Sequence, residues 1–383
     1  MNRLSFMEKL LDGIEVEWLP LSKVLVRTKG TKITAGQMKV LHKEGAPLKI
    51  FAGGKTVAFV DFSDIPEKDI NKEPSIIVKS RGVIEFEYYE KPFSHKNEMW
   101  SYYSNDDGIS IKYVYHFLKL NEPHFQNLGS RMQMPQIATP DTDKFQIPIP
   151  CPAYPKKSLE IQAEIVRILD TFTELTTELT TELTARKKQY QYYRDKLLTF
   201  AEDEVEWKTL GDVAVIGTGS HDTKDAIENG DFTFYARGRD PLRLNVYDFD
   251  ETAIITAGDG AGVGKVYHYA QGRYALHQRA YRIVPSNVMN PRFVFHYISA
   301  FFYVYIQKVS VSSSVTSLRR PMFVNFPIPV PSLAKQDLIV VILDKFDTLT
   351  TSISEGLPRE IELRQQQYEY YRDLLLNFPK PLE

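Results

Sequence analysis

The sequence predicts an α+β protein in which two globular domains are separated by two long antiparallel helices, paired as a coiled coil. Three observations predict it. The chain is written twice, each copy ends in a long helical seam, and each seam is entered through a proline-rich strand. The expected division is a first globular domain over 1–157, a central helix over 158–201, a second domain over 202–332, and a distal helix with its tail over 333–383.

The repeat is explicit. Tyr190-Gln-Tyr-Tyr-Arg-Asp-Lys-Leu-Leu-Thr-Phe200 matches Tyr368-Glu-Tyr-Tyr-Arg-Asp-Leu-Leu-Leu-Asn-Phe378. Upstream, Leu159-Glu-Ile-Gln-Ala-Glu-Ile-Val-Arg-Ile-Leu-Asp-Thr-Phe172 matches Leu333-Ala-Lys-Gln-Asp-Leu-Ile-Val-Val-Ile-Leu-Asp-Lys-Phe346. Ile147-Pro-Ile-Pro-Cys-Pro152 pairs with Phe326-Pro-Ile-Pro-Val-Pro331, and Glu15-Val-Glu-Trp18 with Glu204-Val-Glu-Trp207. Tyr113-Val-Tyr-His-Phe117 and Phe293-Val-Phe-His-Tyr297 mark a shared helix. Everything between these anchors diverges. Lys9-Leu-Leu11 also echoes Lys196-Leu-Leu198, so the N-terminus reads as a continuation of the C-terminal helix. That implies a pseudo-two-fold ring with one cut and neighbouring termini.

Apolar residues at Ile165, Ile168, Phe172, Leu175, Leu179, Leu183, Tyr190, Tyr193, Leu197 and Phe200 step mostly by threes and fours, a coiled-coil seam. Ile339, Ile342, Phe346, Leu349, Ile353, Leu357, Ile361, Tyr368, Tyr371, Leu375 and Phe378 repeat it with one extra four-residue step. Gly356 and Pro358 should break the second helix, whereas the first, expected from Ser158 to Phe200, should be continuous. Tyr190, Tyr192, Tyr193 and Arg194, echoed by Tyr368, Tyr370, Tyr371 and Arg372, form aromatic clusters near the helix ends. They suit either a protein interface or packing on the adjacent domain.

In the second domain, Asp231–Tyr235, Ala253–Thr256 and Val266–Tyr269 read as strands and Pro291–Lys308 as a helix. A Ser-rich loop, Ser310–Arg320, comes after it. The chain's net charge of −2 hides an asymmetry. From Gly260 to Gln336 there is no Asp or Glu, where about ten would be expected, yet nine Lys and Arg occur. That asymmetry fits a face that meets phosphate, or an acidic protein.

Catalytic signatures are missing. Gly258-Asp-Gly-Ala-Gly-Val-Gly-Lys265 lacks the first glycine and final hydroxyl of a phosphate loop, and reads as a glycine-rich turn between strands. Asn290-Pro-Arg-Phe293 has only one proline and no preceding cofactor motif, and reads as a helix start rather than an adenine-methyltransferase motif. His116 and His296 occupy matching helical positions flanked by aromatics, and read as core or interface histidines. One cysteine excludes an internal disulfide framework, and no metal site is expected. With no apolar run of 18 residues and no apolar leader, a soluble cytoplasmic protein without membrane partners is expected.

With the repeat, the Ile-Pro-Ile-Pro strands, the Gln-x-x-Ile-Val-x-Ile-Leu-Asp helices and the Tyr-Tyr-Arg-Asp ends taken together, the whole chain resembles the specificity (S) subunits of type I restriction–modification systems. The Thr-Glu-Leu repeats and Leu357–Tyr368 resemble the type IC branch. The resemblance implies two target recognition domains, each reading half of a bipartite double-stranded DNA site. It implies two modification (M) subunits docked on the helices, and the aromatic clusters above are the expected interface. S-adenosylmethionine would be held by the M subunits, and ATP and Mg by restriction (R) subunits; none is expected in this chain, which would be non-catalytic. The rival reading is a helical adaptor for acidic proteins.

Base-reading and phosphate-contacting residues are expected where the repeats diverge. In the second domain they are Ser220, His221, Thr223, Lys224, Arg237, Arg239, His277, Gln278, Arg279, Ser317, Arg319 and Arg320. In the first, Lys29, Lys32, Lys55, Lys96 and Arg131 are the positional analogues. The helices would act as a ruler. One Thr-Glu-Leu-Thr unit adds about 6 Å and about 40° of rotation, against about 3.4 Å and about 35° per base pair.

Overall fold

The computed structural model describes residues 13–130, 134–309, 317–352 and 354–378. The chain forms two compact units. Unit 1 takes the chain through Glu178 and again from Ile361, and unit 2 takes Leu179–Glu360. Expectations for Lys9–Leu11, for Arg131, for 310–316 and for Ile353 fall outside the described residues.

Unit 1 begins with β1 (Val16–Pro20), α1 (Leu21–Val24), β2 (Val26–Lys29) and α2 (Ala35–Leu41). It continues with β3 (Leu48–Phe51), β4 (Val57–Val60), β5 (Ser75–Lys79), β6 (Glu85–Tyr89), β7 (Phe93–His95) and β8 (Trp100–Tyr103). Helices α3 (Ile111–Leu120), α4 (Glu122–Gly129) and α5 (Thr139–Asp143) lead into β9 (Gln146–Pro150) and the long α6 (Pro155–Leu198). Unit 2 repeats the plan: β10 (Glu206–Thr209), α7 (Leu210–Val213), β11 (Ala214–Thr218), β12 (Phe232–Tyr235), β13 (Leu242–Leu244), β14 (Phe249–Ala257), β15 (Tyr267–Leu276) and β16 (Ala280–Pro285). Then come α8 (Pro291–Val309), α9 (Arg320–Val324), β17 (Pro327–Val330), α10 (Leu333–Thr351) and α11 (Leu357–Leu376); α6 passes from unit 1 to unit 2 at Leu179, and α11 returns to unit 1 from Ile361.

The repeat anchors find each other. The Glu15-Val-Glu-Trp18 strand pairs antiparallel with the first proline strand, Trp18 opposite Pro148. Trp207 stands opposite Pro329 in the equivalent ribbon. Proline has no N–H for a ladder, so these strands form two-stranded ribbons with only one paired edge.

The sheets share one strand order. Unit 2 runs β11-β16-β14-β15-β12-β13, and unit 1 runs β2-β8-β5-β6 with a separate β4-β3-β7 sheet. β15 is antiparallel to β14 and then parallel to β12 within one strand. In unit 1 those two tasks fall to β6 and β7. Pro92 lies in the gap, where a continuous strand would need a ladder donor.

In both units one core joins the globular body to the helices. In unit 1, Tyr113, Val114 and Phe117 of α3 pack with Ile161, Ile165 and Leu169 of α6 and Leu375, Leu376 and Phe378 at the chain's end. In unit 2, Phe293, Val294 and Tyr297 of α8 pack with Leu198, Phe200, Ile339 and Leu343. So the first unit is closed by the last helix of the chain. The expected seam is one of two stripes. Ile168 and Phe172 are only half-buried, whereas Leu169, one position round the helix, is fully buried against the globular body. α6 is continuous as expected but starts at Pro155, where a first-turn proline loses no intrahelical bond. The second helix breaks between Thr351 and Leu357, with Gly356 at φ +82°.

Matched side chains repeat matched bonds. Gln162 accepts from Ser110 N at 2.8 Å and donates to Gly108 O at 3.1 Å. Gln336 accepts from Asn290 N at 2.6 Å and donates to Val288 O at 3.1 Å. Both amides are fully buried. The Asn290 side chain caps α8 through Arg292 N at 2.8 Å, so the Asn-Pro segment is a helix start.

Candidate nucleic-acid interface

The residues expected to contact DNA in unit 2 come from loops that hydrogen-bond to one another. Gly219 leads out of β11, and a Cβ there would meet Leu276 O at 1.8 Å, so only glycine lets the chain cross β15. His221 then bridges to His277 in parallel register. His277 N donates to Tyr235 O at 2.9 Å, bringing in the loop after β12 that carries Arg237 and Arg239. Gln278 Nε2 donates to Asp222 Oδ2 at 3.1 Å, tying the His277–Arg279 turn to the loop with Thr223 and Lys224. Ser220 and His221 share Asp248, at 3.4 Å and 3.1 Å. Ser317 pairs with Asp259, and Leu318 N donates to Gly258 O at 2.7 Å.

The rim is exposed and the floor is not. Ser220, Thr223, Lys224, Arg239, Gln278, Arg279, Ser317, Arg319 and Arg320 are exposed, Arg237 and His221 are half-buried, and His277 is buried. Burial pushes the His277 imidazole below its usual range, and its Nδ1 accepts from Arg279 N at 2.9 Å, so the neutral ring serves the turn as an acceptor. A cleft of about 560 Å³ opens beside Thr223, Arg237, Arg239 and Asp259.

Unit 1 has the same backbone scaffold. Lys96 N donates to Phe51 O at 2.9 Å as His277 N does to Tyr235 O, and Thr31 bridges to Lys96 as His221 does to His277. Ile137 N donates to Ser80 O at 3.0 Å as Leu318 N does to Gly258 O. Arg81 bridges to Gln136 as Asp259 does to Ser317, and both precede a glycine at φ +81°. These bonds bring Lys96 beside Thr31 and Lys32, while Lys55 sits exposed on the β3–β4 turn. Lys29 lies at the end of β2 and lines a groove of about 830 Å³ with Lys68 and Lys72. Lys96 is paired with Glu98 at 2.6 Å. Arg81 is not among the expected residues; the Arg81-Gly82 pair stands where Asp259-Gly260 stands. Asp222, Asp248 and Asp259, which hold Gln278, His221 and the two arginines, are also not among the expected residues, because a search for DNA contacts looks past acids.

The sequence profile described as "Type I restriction modification DNA specificity domain" matches residues 52–187 and 202–363. This chain belongs to the type I restriction–modification specificity family. The Escherichia coli protein named type I restriction enzyme EcoR124I/EcoR124II specificity subunit is 38% identical, over 100% of this chain and 99% of that one. The E. coli EcoprrI specificity subunit is 34% identical over 93% of both chains. The crystal structure of a type I restriction–modification S subunit from M. genitalium superposes with a TM-score of 0.67 at 16% identity, over 96% of this chain and 98% of that one. Membership sets aside the adaptor for acidic proteins.

The acid-free stretch of this specificity subunit is revised by the structure. Arg273 pairs with Asp250, Arg282 with Glu251, Arg292 with Asp344 and Asp347, and Lys335 with Glu204. Acids distant in sequence neutralise these cations, so the stretch is basic along the chain but not across one surface. Arg319 and Arg320 remain exposed at the start of α9.

The helical tyrosines of the specificity subunit divide into two kinds. Tyr193 stacks on Phe346 with ring centres 5.7 Å apart, and Tyr190 lies 6.1 Å from the same ring. Tyr371 stacks on Phe172 at 5.2 Å, and Arg372 lies over the half-buried Tyr368. Each phenylalanine of one repeat thus meets tyrosine of the other. Tyr192 and Tyr370 point away, 61% and 56% exposed. Arg194 and Arg372 each bond the neighbouring aspartate, Asp195 and Asp373, at 2.7 Å. Among the described residues no helix is long and apolar enough to cross a membrane.

Proposed function

We propose that this specificity subunit reads a bipartite double-stranded DNA site, one half through residues 1–157 and the other through 202–332, as a cytoplasmic protein of the type IC branch. The observation that carries this reading is the shared scaffold with unshared side chains. The same hydrogen bonds hold the loops in both units, yet His277, Gln278 and Arg279 stand in one where Lys96, Asn97 and Glu98 stand in the other. A common frame with different edge groups suits two different short sequences, because base identity is read by side-chain donors and acceptors in the groove.

The subunit carries no catalytic residue of its own. Two M subunits dock on α6, α10 and α11, with Tyr192 and Tyr370 at the contacts, and hold S-adenosylmethionine; R subunits bring ATP and Mg. The E. coli relatives are named as subunits of type I restriction enzymes, which supports partners of this kind. The experiment is a domain exchange. Residues 202–332 are replaced by those of another specificity subunit, and methylated sites are mapped in a host carrying the complete system. One half of the site should change while the other stays. Change in both halves, or in neither, overturns the reading, and loss of DNA binding without co-purified M subunits tests the division of labour.

A further inference from the structure

The Gly258–Gly262 turn is no phosphate loop, yet its construction is specific. Gly258 N donates to Arg279 O at 2.8 Å, and a Cβ on Gly258 would stand 2.6 Å from that oxygen. A Cβ on Gly262 would stand 2.5 Å from Arg237 O. Glycine at both positions therefore seats the backbones of two arginines against one turn. Between them, Asp259 Oδ1 accepts from Arg237 Nη1 at 2.8 Å and Oδ2 from Arg279 Nη1 at 3.0 Å. Gly260, at φ +81°, closes the turn.

We propose that Asp259 is a positioning residue, holding Arg237 and Arg279 as a fixed pair of guanidinium forks that read guanines in the half-site of unit 2. The inference rests on the DNA-reading function proposed above. Each guanidinium has five N–H donors and gives one to the carboxylate, so each keeps a free edge. The side chain of Arg279 is 64% exposed and that of Arg237 39%, whereas Asp259 is held back at 23%. Burial raises the Asp259 carboxyl, but the two arginine hydrogen bonds outweigh it and hold the group below its ordinary range. One negative charge against two positive ones leaves the cluster cationic. A phosphate contact needs only charge, whereas bidentate recognition of guanine O6 and N7 needs the guanidinium plane fixed in advance. Among the described residues of unit 1 the clamp is not repeated. Arg81 occupies the place of Asp259, Gly53 that of Arg237 and Glu98 that of Arg279.

The test uses the complete methyltransferase complex with full-length chain, on duplexes substituted one base pair at a time through the mapped site. Asp259→Asn replaces one acceptor with an amide that repels a guanidinium. It should lower discrimination at one or two G·C pairs of one half-site by about tenfold to a hundredfold, leave the other half-site unchanged, and be partly rescued by Asp259→Glu. Arg279→Lys, which keeps charge but loses the fork, should lower discrimination at its own base pair alone. Wild-type discrimination in Asp259→Asn and Arg279→Lys, or equal loss across both half-sites, overturns the proposal. The double variant Arg237→Ala, Arg279→Ala separates the two levels. If it reads DNA as wild type does, DNA reading by this face is wrong. If it loses one half-site while Asp259→Asn does not, only the positioning role falls.

Discussion

His296 Nε2 stands 2.7 Å from Asp344 Oδ1, a contact that ties the globular body of unit 2 to α10. His116 and Asp170 repeat it at 3.0 Å between α3 and α6. Arg292 shares Asp344, and Lys112 shares Asp170. Burial pushes both imidazoles below their usual range, and the aspartate bonds offset this only in part. The folded protein therefore takes up fewer protons than the unfolded chain below the ordinary histidine value of about 6.5. The stability contribution is complete above that value and is lost as pH falls through it toward the folded-state values. Thermal midpoints should drop as pH falls below about 6.5, and His116→Gln with His296→Gln should make that slope shallower. An unaltered slope in the double variant counts against this account.

The two buried glutamines should behave alike. Gln162 and Gln336 each satisfy backbone groups in the turn before a helix, and Gln336 also donates to Pro331 O at 2.8 Å. Truncation leaves a buried N–H and carbonyl without partners, at a cost of about 1–3 kcal/mol. Gln162→Ala and Gln336→Ala should each lower stability by that amount in chemical denaturation. A loss below about 0.5 kcal/mol in either would show that water replaces the amide.

The repeat was legible in the sequence, and the structure shows what its matched segments do. The matching starts and proline strands pair, the Gln and His positions anchor, and Gly356 breaks the second helix where expected. In unit 2 the polar clusters expected after strands fall in loops that hydrogen-bond to one another. In unit 1, Lys32 and Lys96 come together beside Thr31, whereas Arg81 is aligned with Asp259 by backbone pairing alone. The basic stretch from Gly260 to Gln336 misled. Arg292 and Arg282 find their acids across helix and sheet contacts that no local window contains.

The exposed tyrosines separate docking from folding. Tyr192 and Tyr370 meet Tyr193 and Tyr371 edge to face, Lys196 lies over the Tyr192 ring at 5.9 Å, and both rings stay largely exposed. Tyr192→Ala with Tyr370→Ala should change stability by less than about 0.5 kcal/mol and weaken co-purification of M subunits. Tyr193→Ala or Tyr371→Ala removes a ring stacked on phenylalanine and should destabilise the chain itself. Unchanged assembly in the Tyr192/Tyr370 double variant removes those residues from the interface.

The Thr-Glu-Leu-Thr units supply the sharpest quantitative expectation. Within α6 the threonines bond back to the preceding turn, Thr173 to Leu169 O at 3.0 Å, Thr177 to Thr173 O at 2.8 Å and Thr184 to Thr180 O at 3.0 Å. Each bond reaches four residues back into the preceding unit, so removing one four-residue unit leaves the same i−4 pattern between those that remain. The second helix is already interrupted between Thr351 and Leu357, so it has a place to absorb the change. Losing four residues shortens α6 by about 6 Å and turns the rest of the helix by about 40°. Rise alone would remove nearly two base pairs of spacer, at about 3.4 Å each, whereas rotation removes one, at about 35°. Groove phase decides between them, because a domain set off phase faces backbone rather than base edges, while a residual shortfall along the axis is taken up by small bends. A chain lacking one unit from Thr173–Thr184 should methylate the same two half-sites separated by one base pair fewer. Methylome sequencing that returns the original spacer would refute the ruler, and a loss of two would show that rise outweighs phase.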